Sequence, residues 1–273
     1  MKKKIIYFFA LLIPLIISAQ SIEFKESKAI SYLDSKEVNV SEYQKKMCLL
    51  DIYYPTNKEK VPVIVWFHGG GLTGGAREIP EALKNKGYIV VGIGYRLAPN
   101  VKAEVCILDA ASAIAWVFKN IETYNGDSNS IFISGHSAGG YLALMTVMNK
   151  KLLNKHSIDA NKVAGLVPFS GHTITHFTIR AERGISGEQP IVDELAPLYY
   201  VRKDAPPTLL ITGDRELEML GRYEENAYFY RMMKVSGHEE ITLYEMDGYG
   251  HNMASPAFPL LLNFVRVHAK KAN

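Results

Sequence analysis

Two cysteines in 273 residues are too few for a disulfide framework, and no cysteine and histidine cluster has metal-ligand spacing. Cys48 falls in an expected strand and Cys106 at an expected helix start, both among apolar neighbours. Two buried free thiols are therefore expected rather than a bridge. No Pro/Ser/Gly-rich linker and no internal repeat divides the sequence, so one large core is the economical arrangement for a chain that is 48% hydrophobic. A membrane-length apolar run is also missing. The longest, Ile5 to Ile17, falls short of the roughly 20 residues a span requires.

What surrounds that run has a recognisable order: Met1-Lys2-Lys3-Lys4, then the apolar stretch, then Ser18-Ala19-Gln20. Charged, apolar and small residues in this sequence describe a secretory signal, expected over residues 1–19 with cleavage after Ala19. A periplasmic or extracellular protein follows, with residues 20–273 as a single α/β domain. Losing Lys2, Lys3 and Lys4 takes Lys plus Arg from 31 to 28, against 28 Asp plus Glu, so the formal charge falls from +3 to zero. A balanced surface gives no electrostatic case for nucleic acid or for an anionic membrane as partner.

From Met47 onward strand and helix signals alternate. Cys48 to Pro55 reads as a strand ended by proline, and Val61 to Phe67 as a near-continuous apolar run, the mark of a strand covered on both faces. Before these, only an edge strand around Ala29 to Leu33 is suggested. Glu78 to Lys86 is expected to be a helix ending at Gly87, followed by a buried strand from Tyr88 to Tyr95. Ala103 to Ile121 carries apolar residues at helical spacing, as a crossover helix lying on a sheet would. Further strands are expected over Val163 to Phe169, Pro207 to Thr212 and Ile241 to Met246, with helices over Arg222 to Val235 and Pro256 to Ala269. The alternation predicts an α/β protein with a doubly wound, mainly parallel sheet and helices on both faces.

In such a sheet the working residues gather at the carboxyl ends of strands. One such end is Ser134-Gly135-His136-Ser137-Ala138-Gly139, where an apolar strand meets an alanine- and leucine-rich helix. A serine on a strained strand-to-helix turn needs neighbours without side chains, which the Gly-x-Ser-x-Gly spacing supplies. Ser137 is thus the candidate nucleophile, expected to stand exposed at the sheet edge. His251, in Asp247-Gly248-Tyr249-Gly250-His251-Asn252 after the last strand, is the candidate base. A carboxylate to orient the imidazole is wanted after the Pro207 to Thr212 strand, where Asp214, Glu216 and Glu218 all qualify by residue type. Glu218 would need the loop to fold back; Asp214 is short and can instead accept local amides and shape the turn. Donors for an oxyanion are available at Gly70 and Gly71 in His68-Gly69-Gly70-Gly71 and at Ala138, the residue after the nucleophile.

Taken in order, His68 to Gly71, Gly94-Tyr95-Arg96-Leu97-Ala98-Pro99, Gly135 to Gly140, the Gly213-Asp214-Arg215-Glu216 loop and Gly248 to His251 make the chain resemble the α/β-hydrolase superfamily. Within it the chain is similar to esterases of the hormone-sensitive-lipase type and to feruloyl and acetyl-xylan esterases. The resemblance runs from about Leu49 to the end. It implies ester hydrolysis through an acyl-enzyme, with no cofactor and no metal. It also implies an acid three residues after the glycine that ends its strand, which is Glu216, with Asp214 in reserve. Two departures stand out: Leu72 occupies a position where an aromatic is common, and the segment before His68 is too short for a large amino-terminal cap.

Between the strands lies an insertion around residues 170–205 holding His172, Thr173, Thr175, His176, Arg180 and Arg183. Over the mouth of a site it can bind sugar hydroxyls or an acidic group; equally it can be a solvated connector. Function is expected to be an exported serine carboxylic-ester hydrolase acting on a small-molecule or glycan-linked ester, with acetyl or feruloyl groups as acyl candidates. An exopeptidase or amidase using the same residues is the first alternative. A non-catalytic binding module on a hydrolase fold is the second, disfavoured because it has no need of serine, histidine and acid together.

Overall fold

In the computed structural model, residues 22–34, 38–219 and 221–269 are described, so the expected signal segment lies outside them. Eight strands form a single sheet: β1 (Phe24–Ser31), β2 (Leu49–Pro55), β3 (Val61–Phe67), β4 (Ile89–Ile93), β5 (Gly126–His136), β6 (Gly165–Phe169), β7 (Thr208–Gly213) and β8 (Ile241–Met246). Their spatial order is β1-β2-β4-β3-β5-β6-β7-β8. β1 and β2 run antiparallel at one edge, and everything from β4 to β8 is parallel. This is the mainly parallel, doubly wound sheet that the alternation predicted.

β3 shows why both faces must be covered. Val61, Val63, Val65 and Phe67 belong to one buried cluster, Ile64 and Trp66 to the other. Successive side chains of a strand point to opposite faces, so a run without polar alternation needs a layer on each side. On the first face lie α2 (Ala103–Asn120), α3 (Ala138–Met148), the short α4 (Lys150–Asn154) and α6 (Arg222–Val235). On the second lies α7 (Ala254–Ala269), with Phe258, Leu261 and Val265 against Trp66, Phe132 and Phe169. Every residue of α3 is buried, which explains its unbroken apolar composition.

Two further short helices lie among the described residues: α1 (Glu42–Met47), capped by Ser41 accepting from the Gln44 amide, and α5 (Phe177–Glu182) in the insertion. The helix expected over Glu78 to Lys86 does not form; only one 3₁₀ turn, Glu81–Leu83, is present. Pro80 disfavours helical backbone before it, and a Cβ on Gly92 would lie 2.1 Å from the Glu78 carbonyl oxygen, so this stretch presses flat on β4. The insertion is not a solvated connector over its first part. Ser170, Thr173, Thr175, His176 and Arg180 are buried. Cys48 and Cys106 are buried free thiols, and burial pushes each thiol up to about 12.

Candidate active site

Ser137 sits between β5 and α3 with φ 56° and ψ −117°, backbone that an L-residue adopts at a cost of roughly 1–3 kcal/mol. Close packing enforces it. A Cβ on Gly139 would lie 2.1 Å from the Phe67 carbonyl oxygen, and one on Gly135 2.6 Å from the Gly139 carbonyl carbon. The elbow is thus wedged against the end of β3, and only glycine fits on either side of the serine. The Ser137 amide donates to the Phe169 carbonyl at 2.8 Å. Ser137 is only 8% exposed, against the expectation of an exposed residue: the base and the glycine turn cover it.

The loop after β8 brings His251 Nε2 to 2.9 Å from Ser137 Oγ. On the other side of the ring, Nδ1 lies 2.6 Å from Glu218 Oε1. The acid is therefore neither Glu216 nor Asp214, and both assignments are corrected. Asp214 Oδ1 accepts the Glu216 amide while its carbonyl accepts the amides of Leu217 and Glu218, closing one helical turn. That turn carries Glu218 back beneath the strand end and leaves Glu216 in solvent. Asp214 Oδ2 takes the Gly248 amide at 2.9 Å and so ties the acid loop to the base loop. These backbone donors hold its carboxyl below the usual range.

Glu218 is surrounded by donors. Oε1 accepts from His251 and from the Met219 amide at 2.8 Å; Oε2 accepts from Ser170 Oγ at 2.6 Å and from the Gly213 amide at 3.1 Å. Burial by itself raises this carboxyl, but the bonds from His251, Ser170 and Met219 outweigh it and bring it down to about 2. An ionised, acceptor-only group is what this ring of donors fits. Ser170 Oγ also lies 3.1 Å from His251 Nδ1, and its backbone, like that of Ser137, is strained at φ 47°. With Nδ1 bonded to the carboxylate, the neutral imidazole presents Nε2 as an acceptor to the serine.

Of the expected oxyanion donors, Gly70 and Gly71 form a turn with φ 112° and 64°. A Cβ on the preceding Gly69 would lie 3.4 Å from Ser137 Cβ, which places the turn directly against the nucleophile. The Gly70 carbonyl takes the amides of Thr73 and Gly74, and the Gly71 carbonyl takes Thr178 Oγ1 at 2.5 Å. Ala138 opens α3, where first-turn amides have no intrahelical acceptor and the helix end favours negative charge. Tyr95, stacked on the His68 ring at 4.3 Å, donates to the His68 carbonyl at 2.8 Å and holds the root of this turn.

No local pattern assigns a role to Ser170, Arg222 or His136, yet all three support the site. Arg222, 1% exposed, donates through Nη1 to the Ser170 carbonyl and pairs through Nε with Glu225 Oε1 at 2.8 Å. His136 Nε2 donates to the His251 carbonyl at 2.8 Å; burial lowers its pKa and favours the neutral ring. Among the described residues no group of three or more His, Cys, Asp or Glu is arranged to hold a metal ion. Beside the triad a cavity of ≈ 740 Å³ opens between the insertion and the start of α6. Phe177 joins it to the glycine turn, since a Cβ on Gly71 would touch that ring at 3.3 Å.

The BD-FAE family model matches residues 50–219 of the chain. The chain is similar to Esterase LipC of Mycobacterium tuberculosis, 25% identical over 230 residues, 74% of this chain and 56% of that protein. It is also similar to Carboxylesterase 1E of Rattus norvegicus, 34% identical over 156 residues, 50% of this chain and 28% of that one. It thus spans little more than half of one curated relative and less than a third of the other. A solved structure, described as a truncated form of a carbohydrate esterase from gut microbiota, superposes with a TM-score of 0.73. That match has 20% identity over 93% of this chain and 99% of that one, a likeness in fold.

Proposed function

The chain belongs to the BD-FAE family, and from that premise and the geometry of its site we propose that it is a serine carboxylic-ester hydrolase working through an acyl-enzyme. The observation that carries the reading is the continuous relay Glu218–His251–Ser137, with contacts of 2.6 and 2.9 Å. His251 Nε2 takes the proton of Ser137 Oγ as the oxygen attacks the ester carbonyl. Glu218 holds the tautomer and stabilises the imidazolium. Charge on the carbonyl oxygen is met by the amides of Gly70, Gly71 and Ala138. The imidazolium then protonates the departing alcohol, and a water, activated by the same ring, releases the acid and restores the serine.

The finer proposal is an exported enzyme that removes acyl groups such as acetyl or feruloyl from glycans. The amino-terminal signal pattern and the resemblance to feruloyl and acetyl-xylan esterases support it. A cavity of ≈ 740 Å³ beside the triad has room for a sugar or an aryl ring. A Ser137→Ala variant compared with wild type on p-nitrophenyl acetate, acetylated xylan, methyl ferulate and aminoacyl-p-nitroanilides tests both levels. Ester turnover by wild type only, with one serine labelled by a phosphonate, is the expected result. Turnover surviving in Ser137→Ala overturns the nucleophile; turnover of anilides alone moves the reading to an amidase.

A further inference from the structure

The cavity beside the triad has an apolar lining broken by a small set of buried charges, and their account does not balance. Glu225 is fully engaged: Oε1 meets Arg222 Nε at 2.8 Å and lies 2.7 Å from His172 Nδ1, while Oε2 accepts the amides of Thr173 and Ile174 at 3.0 and 3.1 Å. Arg222 Nη2 in turn lies 2.7 Å from His172 Nε2, so that nitrogen is the acceptor and the imidazole is neutral. Burial and the adjacent Arg222 lower the His172 pKa in agreement with this. Arg222 and Glu225 therefore cancel, and His172 adds nothing.

One cation remains. Arg180 is 3% exposed, lines the same cavity, donates Nη1 to the Gln189 carbonyl, and keeps its Nε buried without a partner. It forms no ion pair with a carboxylate of the described residues. The other lining acids do not answer it: Glu188 stands in solvent, and Glu224 is held by Arg215 Nε at 2.7 Å. An uncompensated guanidinium away from water costs several kcal/mol, the more so with a nitrogen unpaired. A planar fork of donors is the natural receiver of a carboxylate.

Position ties this cation to the reaction. On α5, Phe177 and Arg180 are three residues apart and share one face. Phe177 rests against Gly71, one of the oxyanion donors proposed above, and the Thr178 hydroxyl pins the helix to that turn. Arg180 therefore lines the cavity one helical turn along α5 from Phe177, with about 5–6 Å between their Cβ atoms. We propose that this cavity is a subsite for a carboxylate-bearing ester, in which Arg180 receives the carboxylate while Phe177 lines the way to the glycine turn. The inference rests on the esterase reading above and deepens it by naming a substrate class.

The test is binding to the full chain carrying Ser137→Ala, which needs no turnover. Two matched pairs are titrated by calorimetry: 3-acetoxybenzoate against 3-acetoxytoluene, with the carboxylate on the alcohol half, and mono-4-nitrophenyl glutarate against 4-nitrophenyl valerate, with it on the acyl half. We expect the carboxylate member of one pair to bind about 10-fold or more tightly, a margin typical of a charge-assisted pair. Adding Arg180→Gln should erase that margin, and Arg180→Lys should keep its sign but reduce it. Equal affinity within both pairs overturns the proposal, as does a margin that survives Arg180→Gln. Should Arg180→Gln fail to fold, the lysine variant decides, and an unchanged margin there overturns it too. Hydrolysis of 4-nitrophenyl valerate by wild type checks the esterase reading separately.

Discussion

The turn after β5 and the loop after β7 each deliver one member of the triad, and they do so by opposite means. At the first, Ser137 is placed by its immediate neighbours: Gly135 and Gly139 close against each other and against Phe67, and the helix begins at the next residue. At the second, Asp214, Glu216 and Glu218 lie within five residues, and nothing local except one helical turn separates them. The choice falls to groups far away in sequence, His251 and Ser170, which converge with the strand-end amide of Gly213 on a single carboxylate. A position defined by backbone contact is robust and readable; one defined by converging donors is decided only when the sheet has assembled.

Replacing the carboxylate is the strongest way to probe that contrast. Glu218→Gln should lower kcat by roughly 10³ to 10⁴ with little change in KM, because an amide puts a donor in place of an oxygen on which two donors already converge, and favours the wrong imidazole tautomer. Steady-state kinetics on p-nitrophenyl acetate measures it, and near-normal turnover would transfer the role to another residue.

The elbow should break differently. A methyl on Gly139 meets the Phe67 carbonyl oxygen at 2.1 Å, against backbone that cannot swing aside, so Gly139→Ala should destabilise the fold by about 3 kcal/mol or more. Urea unfolding checks this, and an unchanged midpoint would mean that the elbow is looser than its geometry implies.

Acid should weaken the second region in a way the first does not share. The Glu218 carboxyl lies at about 2 in the fold against an ordinary value of about 4.5, so its stabilising contribution is complete above pH 4.5 and is lost as pH falls through 2. At about 1.4 kcal/mol per tenfold change in acidity, the contribution is on the order of 3 kcal/mol. Wild type should therefore lose stability faster than Glu218→Gln between pH 4.5 and 2 in urea titrations. Parallel losses would show that the carboxylate is not held as described.

The smallest effects sharpen the assignment within the acid loop. Asp214→Asn keeps one acceptor oxygen for the amides of Gly248 and Glu216 and should cost about 10-fold or less in kcat. Glu216→Gln, in solvent, should stay within about 2-fold. A crippled Glu216→Gln enzyme would contradict the geometry of the loop.

The run of strands and helices, the mainly parallel sheet, the elbow at Ser137 and the position of His251 after the last strand could all be read from the chain. Each rests on local chemistry: period-2 and period-3.6 apolar patterns, glycines that permit one turn, and strand ends that always face the same edge. Glu218 could not be singled out, because Asp214 capping its own turn reverses which acid faces inward, and only the His251 and Ser170 contacts reveal that direction. Similarly, Glu78 to Lys86 carries helix formers, yet the close approach of β4 at Gly92 flattens it. The polar insertion has the composition of a surface connector. Its histidines, threonines and Arg180 are nonetheless buried, and Glu225, Arg222 and Asp193 reach Thr173, His172 and Thr175 from later parts of the chain. Sequence alone determined the layers and the nucleophile, where neighbours along the chain are also neighbours in space. The acid, and the buried charges beside it, were decided by tertiary structure, since a buried polar group is settled by partners that no local pattern names.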